Sequence, residues 1–121
     1  MESIKGLNQT LLRKEDIRRT PSIGSTDGKG YDAVCTVHFF TPSAGWDWYM
    51  TEYDEENMLA FGLVKGFDTE LGYFSLREFV DMNEDFKARP SMRKAWVERD
   101  QWWEPKPLRE IRGIEVPSWA D

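Results

Sequence analysis

The sequence predicts an α+β domain: an antiparallel sheet of about four strands forms a meander, and two to three helices pack on one face. Short aromatic and glycine-rich runs alternate with turn residues between positions 39 and 76, and loops this short join antiparallel neighbours. A match to a helix capping box follows directly after the last run. The predicted strands cover residues 31–40, 46–53, 58–66 and 71–74.

The first predicted strand shows the alternation expected of a half-buried strand. Its odd positions form one apolar face and consist of Tyr31, Ala33, Cys35, Val37 and Phe39. Polar residues fall between them, so one face is expected to lie in the core.

Helices are predicted at both ends of the sheet. Apolar residues at helical spacing indicate a short helix over residues 8–19, followed by a flexible loop over residues 22–30. Ser75 and Glu78 have the spacing of a capping box, which predicts a helix from Leu76 to about Asp85. Residues 91–103 fit a second helix or a helix followed by an extended piece.

The chain is predicted to form a single domain, with residues 1–30 as N-terminal helix and loop, 31–112 as core and 113–121 as C-terminal tail.

Charge is distributed unevenly along the chain of 121 residues, whose net charge is −6. Residues 1–30 carry +2, residues 31–86 carry −10 and residues 87–121 carry +2. An acidic middle repels the phosphates of duplex DNA and favours a basic protein surface as partner. The alternative interpretation is an acidic surface that serves only solubility.

The N-terminus does not resemble a signal peptide, and no apolar run approaches the roughly 18 residues of a membrane span. We therefore expect a cytoplasmic protein without a membrane partner. The single cysteine, Cys35, fits a reducing compartment and is interpreted as a small buried hydrophobic residue.

The inventory of reactive side chains predicts no catalytic residue, metal ligand or cofactor site. The only histidine, His38, is three positions from Cys35 on a predicted strand, so the two side chains point to opposite faces. No serine lies in a nucleophile-elbow pattern. His38 is therefore interpreted as an ordinary strand residue.

Five acidic residues and two tryptophans are the candidate contact residues. Asp47 and Glu52 have odd spacing on one predicted strand, which places them on opposite faces. The triplet Asp54, Glu55 and Glu56 occupies a predicted turn.

The six tryptophans divide into predicted core residues and possible contacts. Trp46, Trp48 and Trp96 are expected to fill the core. In the doublet Trp102 and Trp103, we expect one ring to pack inward and the other to reach the surface. The sequence leaves the position of Trp119 open.

An ordered series of motifs resembles a known bacterial family. The motifs are Phe39-Phe40-Thr41-Pro42, Trp46-Asp47-Trp48-Tyr49-Met50-Thr51-Glu52, Phe61-Gly62-Leu63-Val64-Lys65-Gly66-Phe67, Glu70-Leu71-Gly72-Tyr73-Phe74-Ser75-Leu76-Arg77-Glu78, Glu98-Arg99-Asp100 and Pro105-Lys106-Pro107-Leu108. Over residues 34–111 the chain is similar to the family of domain of unknown function 2958. The resemblance implies a protein of plasmids, phages or integrated mobile elements, often encoded near anti-restriction genes. It implies no catalytic residues, and the chain departs from the family pattern at its N-terminus and around residues 83–95.

The leading hypothesis is a non-enzymatic accessory factor of a mobile genetic element that binds a protein. Its expected partner is a host or effector protein with a basic surface, and its expected role is inhibition of a host defence such as restriction or CRISPR. The expected contact residues are Asp47, Glu52, Asp54, Glu55, Glu56, Trp102 and Trp103. The sequence leaves the oligomeric state open.

Two alternatives remain from the sequence. The first is a single-stranded nucleic-acid-binding module that stacks bases on tryptophan and uses the basic flanks. Those flanking residues are Arg89, Arg93, Lys94, Arg99, Lys106, Arg109 and Arg112. The second is a carboxylate-dependent hydrolase, which requires acids distant in sequence, such as Glu52 and Glu70, to converge.

Overall fold

A computed structural model describes residues 2–90 and 95–120. The strands and helices are β1 (Ile4–Lys5), β2 (Thr10–Leu12), α1 (Lys14–Arg19), β3 (Val34–Cys35), β4 (Val37–Phe40), β5 (Asp47–Asp54), β6 (Leu59–Lys65), β7 (Thr69–Ser75), α2 (Leu76–Ala88), β8 (Glu98–Arg99) and β9 (Lys106–Pro107). Short 3₁₀ helices lie at Gly30–Asp32, Leu108–Glu110 and Ser118–Ala120.

A five-stranded antiparallel sheet in the order β7-β6-β5-β4-β8 is the centre of the fold. Its four consecutive strands β4 to β7 form the meander that the alternating motifs predict. The fifth strand, β8, comes from the segment after α2 and pairs with the free edge of β4. β1 pairs with β2 and β3 with β9 in two small two-stranded sheets. The chain is therefore a mixed α and β protein with an antiparallel sheet, as expected.

Both faces of the sheet are covered. On one face, α1 and α2 contribute Ile17, Leu76 and Phe79 to a cluster that also contains Phe39 and Trp48. We call this the first cluster. On the other face, the 3₁₀ segments and the C-terminal residues pack over a second cluster, which consists of Tyr31, Cys35, Tyr49, Leu63, Leu108 and Ile111. The C-terminal segment is thus part of the core packing, since Ile114, Val116 and Ala120 also contact the second cluster.

The start of α2 agrees with the capping pattern. The backbone N–H of Glu78 donates to Oγ of Ser75 at 3.2 Å, which satisfies one of the unpaired amides of the first turn. The helix ends at Ala88, three residues later than expected. Near its middle, Asn83 is buried and bonds Val97 twice, with Asn83 Nδ2 to Val97 O at 3.0 Å and Val97 N to Asn83 Oδ1 at 2.7 Å.

The N-terminal prediction of one helix over residues 8–19 was wrong. Its first part is strand β2, in which Leu11 and Leu12 are both fully buried, and only Lys14–Arg19 is helical. Asp16 accepts a hydrogen bond from the N–H of Arg13 at 2.9 Å and so fixes the start of the short helix. Two adjacent leucines match a helical face and a buried strand equally well, so periodicity alone does not distinguish them.

The prediction of one continuous strand over residues 31–40 was also wrong. Its first residues form a 3₁₀ turn, and the chain is interrupted at Thr36, whose N–H donates to Met50 O at 2.9 Å. The interruption reverses the alternation, because Cys35 belongs to the second cluster while Val37 belongs to the first.

No helix is formed in residues 95–103, where the structure has β8 followed by a turn. Residues 91–94, the start of the predicted second helix, lie outside the described residues. Pairing with β4 fixes this segment as extended, since Phe39 faces Arg99 and Phe40 faces Glu98.

A bulge in β5 changes which residues share a face. Pairing with β6 runs from Met50 opposite Gly62 to Glu52 opposite Phe61, so Thr51 is an additional residue in β5. Trp48, Met50 and Tyr53 all join the first cluster despite their uneven spacing. The prediction that Asp47 and Glu52 face opposite sides was therefore wrong, because the bulge turns Glu52 to the face of Tyr49.

Gly62 permits this close pairing. A Cβ atom at Gly62 would lie 1.9 Å from the backbone oxygen of Tyr49, a contact that no side chain can make. Gly72 on β7 is paired with Gly62, and a Cβ atom added at Gly72 would have no other atom within 4 Å.

Gly62→Ala is expected to lower the free energy of unfolding by about 3 kcal/mol, because the backbone of β5 must move away from β6. Gly72→Ala is the matched control on the paired strand and should change stability by less than about 1 kcal/mol. Chemical denaturation monitored by tryptophan fluorescence measures both. Equal losses in the two variants would contradict the assigned contact.

Candidate functional site

The candidate site is a cleft of about 560 Å³ at the edge of the sheet where β8 joins β4. We call it the acidic cleft. Its lining residues are Gln9, His38, Phe40, Asp47, Glu98, Arg99, Asp100, Gln101 and Trp102. It contains two of the predicted contact residues, Asp47 and Trp102.

Strand register brings the acids of the cleft together. Alternation along β4 directs Val37 and Phe39 into the first cluster, so His38 and Phe40 face the other side. Phe40 pairs with Asp47 on one neighbouring strand and with Glu98 on the other. Acidic residues that are 51 positions apart thus flank the same aromatic side chain on one face of the sheet.

His38 connects two carboxylates of the cleft. Its Nε2 lies 2.7 Å from Asp47 Oδ1, and its Nδ1 lies 3.4 Å from Asp100 Oδ2. Its ring stacks on Tyr49 with centroids 4.5 Å apart and an interplanar angle of 9°. The interpretation of His38 as an ordinary strand residue needs correction, since it positions the acids of the candidate site.

The turn after β8 presents one tryptophan to solvent. Asp100 holds this turn, because its Oδ1 accepts from the N–H of Trp102 at 3.0 Å and its carbonyl accepts from the N–H of Trp103 at 3.2 Å. Trp102 is 90 % exposed, whereas Trp103 is half-buried and donates from Nε1 to Cys35 O at 3.1 Å. The doublet therefore has one inward and one outward ring, as expected, and only Trp102 is presented as a contact.

Arg99 lines the cleft, but its positive charge is paired with the buried carboxylate of Asp16. Its guanidinium bonds both carboxylate oxygens of the buried Asp16, which also receives bonds from Arg13 and Arg19. Burial of Asp16 favours its neutral form, but the hydrogen bonds from Arg99 and Arg13 outweigh this and lower its pKa to about 2. The backbone N–H of Arg99 donates to Gln9 Oε1 at 2.5 Å.

The electrostatic environment of the cleft is negative. Burial raises the pKa of the Tyr49 hydroxyl, and the negative charge of Asp47 raises it further, with a smaller contribution from Asp100. With Arg99 bound to Asp16, the remaining acidic side chains of the cleft are Asp47 and Asp100, which contact His38, and Glu98, which accepts from Trp96 Nε1 at 2.6 Å.

Glu52 does not belong to this surface. It is 2 % exposed and accepts hydrogen bonds from the N–H groups of Gly24 at 2.8 Å and Thr26 at 2.7 Å. Its carboxylate thereby holds the 22–30 loop against the sheet, so a loop expected to be flexible is anchored by a buried acid. Glu70 is exposed on β7, so the pair of Glu52 and Glu70 considered for hydrolysis does not form a shared site.

The acidic triplet lies at the other end of β5. Asp54 stabilises its own turn, accepting from the N–H of Glu56 at 3.1 Å and from Nδ2 of Asn57 at 2.7 Å. Glu55 and Glu56 are exposed. At about 3.3 Å per strand residue, roughly 23 Å of strand separates Asp54 from Asp47. The predicted contact residues therefore form two separate groups and one buried anchor.

Sequence reasoning missed three ionisable residues of the cleft, namely His38, Glu98 and Asp100. Glu98 and Asp100 belong to the Glu98-Arg99-Asp100 motif of the family resemblance, and this motif was the one sequence feature that could have indicated them. His38 has no signal in the sequence, because its role depends on residues 9 and 62 positions away.

Neither a metal centre nor a reactive thiol is apparent in the described part of the chain. Residues 2–90 and 95–120 contain no group of three or more histidine, cysteine or acidic side chains placed to hold a metal ion. Cys35 is buried, and this burial raises the pKa of its thiol. Among the helices of the same residues, none is long and apolar enough to cross a membrane.

Comparison with known families assigns the chain. Residues 6–110 match the family described as protein of unknown function DUF2958, and the chain therefore belongs to that family. No curated protein and no solved structure matches the chain.

Acidification is expected to weaken the fold through Asp16. Because its pKa is lowered from 3.8 to about 2, its contribution is complete above about pH 4 and is lost as the pH falls towards 2. Asp16→Asn should lower the free energy of unfolding at pH 7 by about 3 kcal/mol, since Arg99 is then buried without its counter-charge. The remaining stability should depend less on pH between 4 and 2 than in the wild type.

Denaturation titrations at several pH values measure this difference. Glu15→Gln is the matched control, since the neighbouring Glu15 is mostly exposed and pairs only with Arg13 in the described contacts. A variant at Asp16 with the wild-type pH dependence would contradict the assigned role.

Proposed function

We propose that the protein is a non-enzymatic accessory factor of a mobile genetic element that binds a basic protein through the acidic cleft. The proposed role is inhibition of a host defence, such as restriction or CRISPR, in the bacterial cytoplasm. The observation that carries the binding proposal is the combination of an exposed Trp102 with Asp47, Glu98 and Asp100 around one cleft.

A basic side chain fits the chemistry of this cleft. An indole face attracts a cation within about 6 Å, and an arginine guanidinium additionally stacks on the ring. Carboxylates next to the indole ring accept hydrogen bonds from the N–H groups of the guanidinium, in a bidentate arrangement where the geometry permits. Because the cleft measures about 560 Å³, it has room for one long side chain and part of the adjacent backbone.

The basic residues considered for single-stranded nucleic acid are largely engaged within the chain. Arg89 bonds Asp85 at 2.5 Å, and Arg109 bonds Asp32 at 2.5 Å. Arg99 is bound to Asp16, and Lys106 lies 4.7 Å from the centroid of the Trp103 ring. These contacts favour the protein-binding proposal, because an electrostatic groove for phosphates needs unneutralised cations along its length. Arg112 is exposed, and Arg93 and Lys94 lie outside the described residues.

The biological setting of the proposal rests on the family. The resemblance implies carriage by plasmids, phages and integrated elements, often near anti-restriction genes. Many enzymes of restriction and CRISPR systems bind nucleic acid through basic surfaces, so an acidic ligand site is suited to compete for such a surface. Duplex DNA and membranes are not proposed as partners, because the acidic cleft would not attract them.

Trp102→Ala is expected to weaken binding of arginine-containing peptides by about tenfold, since it removes the stacking surface. Chemical shifts of the indole N–H groups, followed in a peptide titration, measure the affinity. Trp119→Ala is the control, because Trp119 is also exposed, at 74 %, but does not line the cleft. Equal affinities of Trp102→Ala and wild type would remove Trp102 from the proposal.

Asp47→Asn and Asp100→Asn are expected to weaken the same binding and to reduce its dependence on salt, because each removes one negative charge from the cleft. Glu56→Gln removes one charge from the distant turn and should leave the affinity nearly unchanged. A similar loss in all three variants would indicate binding through net charge alone. Binding of single-stranded oligonucleotides in place of peptides would support the alternative function.

The biological role is tested in cells that carry an active restriction or CRISPR system. Expression of the wild-type chain should increase plasmid transfer or phage infection, whereas the Trp102→Ala variant should not. Unchanged transfer and infection across several defence systems would overturn the inhibitor role, even if peptide binding were established.

A further inference from the structure

Among residues 2–90 and 95–120, no strand pairs with the outer edge of β7, which is open along its whole length. In the described sheet it is the terminal strand, and it pairs only with β6. The opposite edge, β8, is two residues long, while β7 has seven residues. A long open strand edge is a template for pairing with another strand.

The backbone hydrogen bonds determine which residues of β7 face this edge. At the two ends of the β6 and β7 pair, Gly66 N donates to Asp68 O at 3.0 Å and Leu76 N donates to Met58 O at 2.9 Å. Between these ends the register has no shift. Since bonded and non-bonded positions alternate in an antiparallel pair, the even-numbered residues of β7 bond β6. The N–H and C=O groups of Thr69, Leu71, Tyr73 and Ser75 therefore point to the open edge.

Apart from one charged residue, Glu70, the strand lacks the usual protections against pairing. It contains no lysine, arginine or proline and has no bulge. Tyr73 is 61 % exposed and contacts the ring of Phe61 with centroids 5.0 Å apart. Leu71 packs at the margin of the second cluster, so an apolar strip reaches the edge of the sheet.

We propose that β7 pairs antiparallel with β7 of a second copy of this chain, with the two-fold axis at Gly72, so that the two sheets form one continuous sheet of ten strands. In this register Leu71 bonds Tyr73 of the second copy, and Thr69 bonds Ser75 of the second copy. The pairing uses all seven residues of the strand, and it satisfies the outward N–H and C=O groups of both copies.

The strand is suited to a second copy of itself. Its only charged residue, Glu70, lies opposite Phe74 of the second copy, so the two Glu70 side chains do not face each other. Gly72 meets itself at the axis, at a non-bonded position where Cα atoms approach to about 4.5 Å. The antiparallel arrangement also brings the strand end with Asp68 next to the end with Arg77, both of which are exposed.

Association of the full chain is measured by sedimentation over a dilution series. The wild type is expected to dimerise, and Tyr73→Lys should weaken dimerisation by at least about tenfold, because it places a charge in the apolar strip. Tyr73→Phe should retain the dimer. Val34→Lys is the control for an added lysine, since Val34 is 44 % exposed on β3, away from this edge. A wild type that stays monomeric, or a dimer insensitive to Tyr73→Lys, would overturn the proposal.

Amide hydrogen exchange of the wild type gives a second test that needs no variant. The amides of Leu71 and Tyr73 should become protected as the concentration rises, whereas those of Gly72 and Phe74, bonded to β6, should be protected throughout. Protection of Leu71 and Tyr73 that appears only on addition of another protein would assign the edge to that protein and contradict the second copy. Trp102→Ala should leave the dimer intact, which separates this inference from the cleft.

Discussion

The ion pair of Asp16 and Arg99 is the interaction on which the acidic cleft depends. It joins residues that are 83 positions apart and ties the N-terminal helix to β8, the shortest strand of the sheet. Two residues of pairing would hold β8 weakly, but Asp16 binds the side chain of Arg99 and Gln9 Oε1 accepts from its backbone N–H. Glu98 and Asp100, on either side of Arg99, are thereby placed on the cleft. The same pairing removes the positive charge that would otherwise oppose them.

The sequence was sufficient for the features that local patterns determine. The meander follows from short loops between apolar runs, and Ser75 caps α2 because capping depends on residues three positions apart. The position of Glu52 was not predictable in this way. Its face depends on one additional residue, Thr51, which in turn needs the close approach that Gly62 allows across the strands. Alternation assumes an uninterrupted strand, so Glu52, which follows the bulge, was assigned to the wrong face.

The candidate site shows the same division. Asp47 and Trp102 were expected as contacts from their residue types alone, whereas the remaining acids entered only through the register of β4 with β8. His38 was interpreted as an ordinary strand residue because regular alternation placed it opposite Cys35, whereas the interruption at Thr36 puts both on the face of the second cluster. Its carboxylate partners lie on two other segments, and long-range pairing has no signature in a single sequence. Of the predicted acids, Glu52 has an entirely different role, since it holds a loop whose glycines suggested mobility.

The two hydrogen bonds between Asn83 and Val97 close the chain into a loop that leaves α2 and returns before β8. An amide side chain that pairs with a backbone amide and carbonyl acts as a local substitute for a strand neighbour. These bonds hold Val97, the residue directly before β8, against the middle of α2. Trp96 joins this arrangement to the cleft, because its ring packs on Phe86 of α2 and its Nε1 donates to Glu98 Oε2 at 2.6 Å.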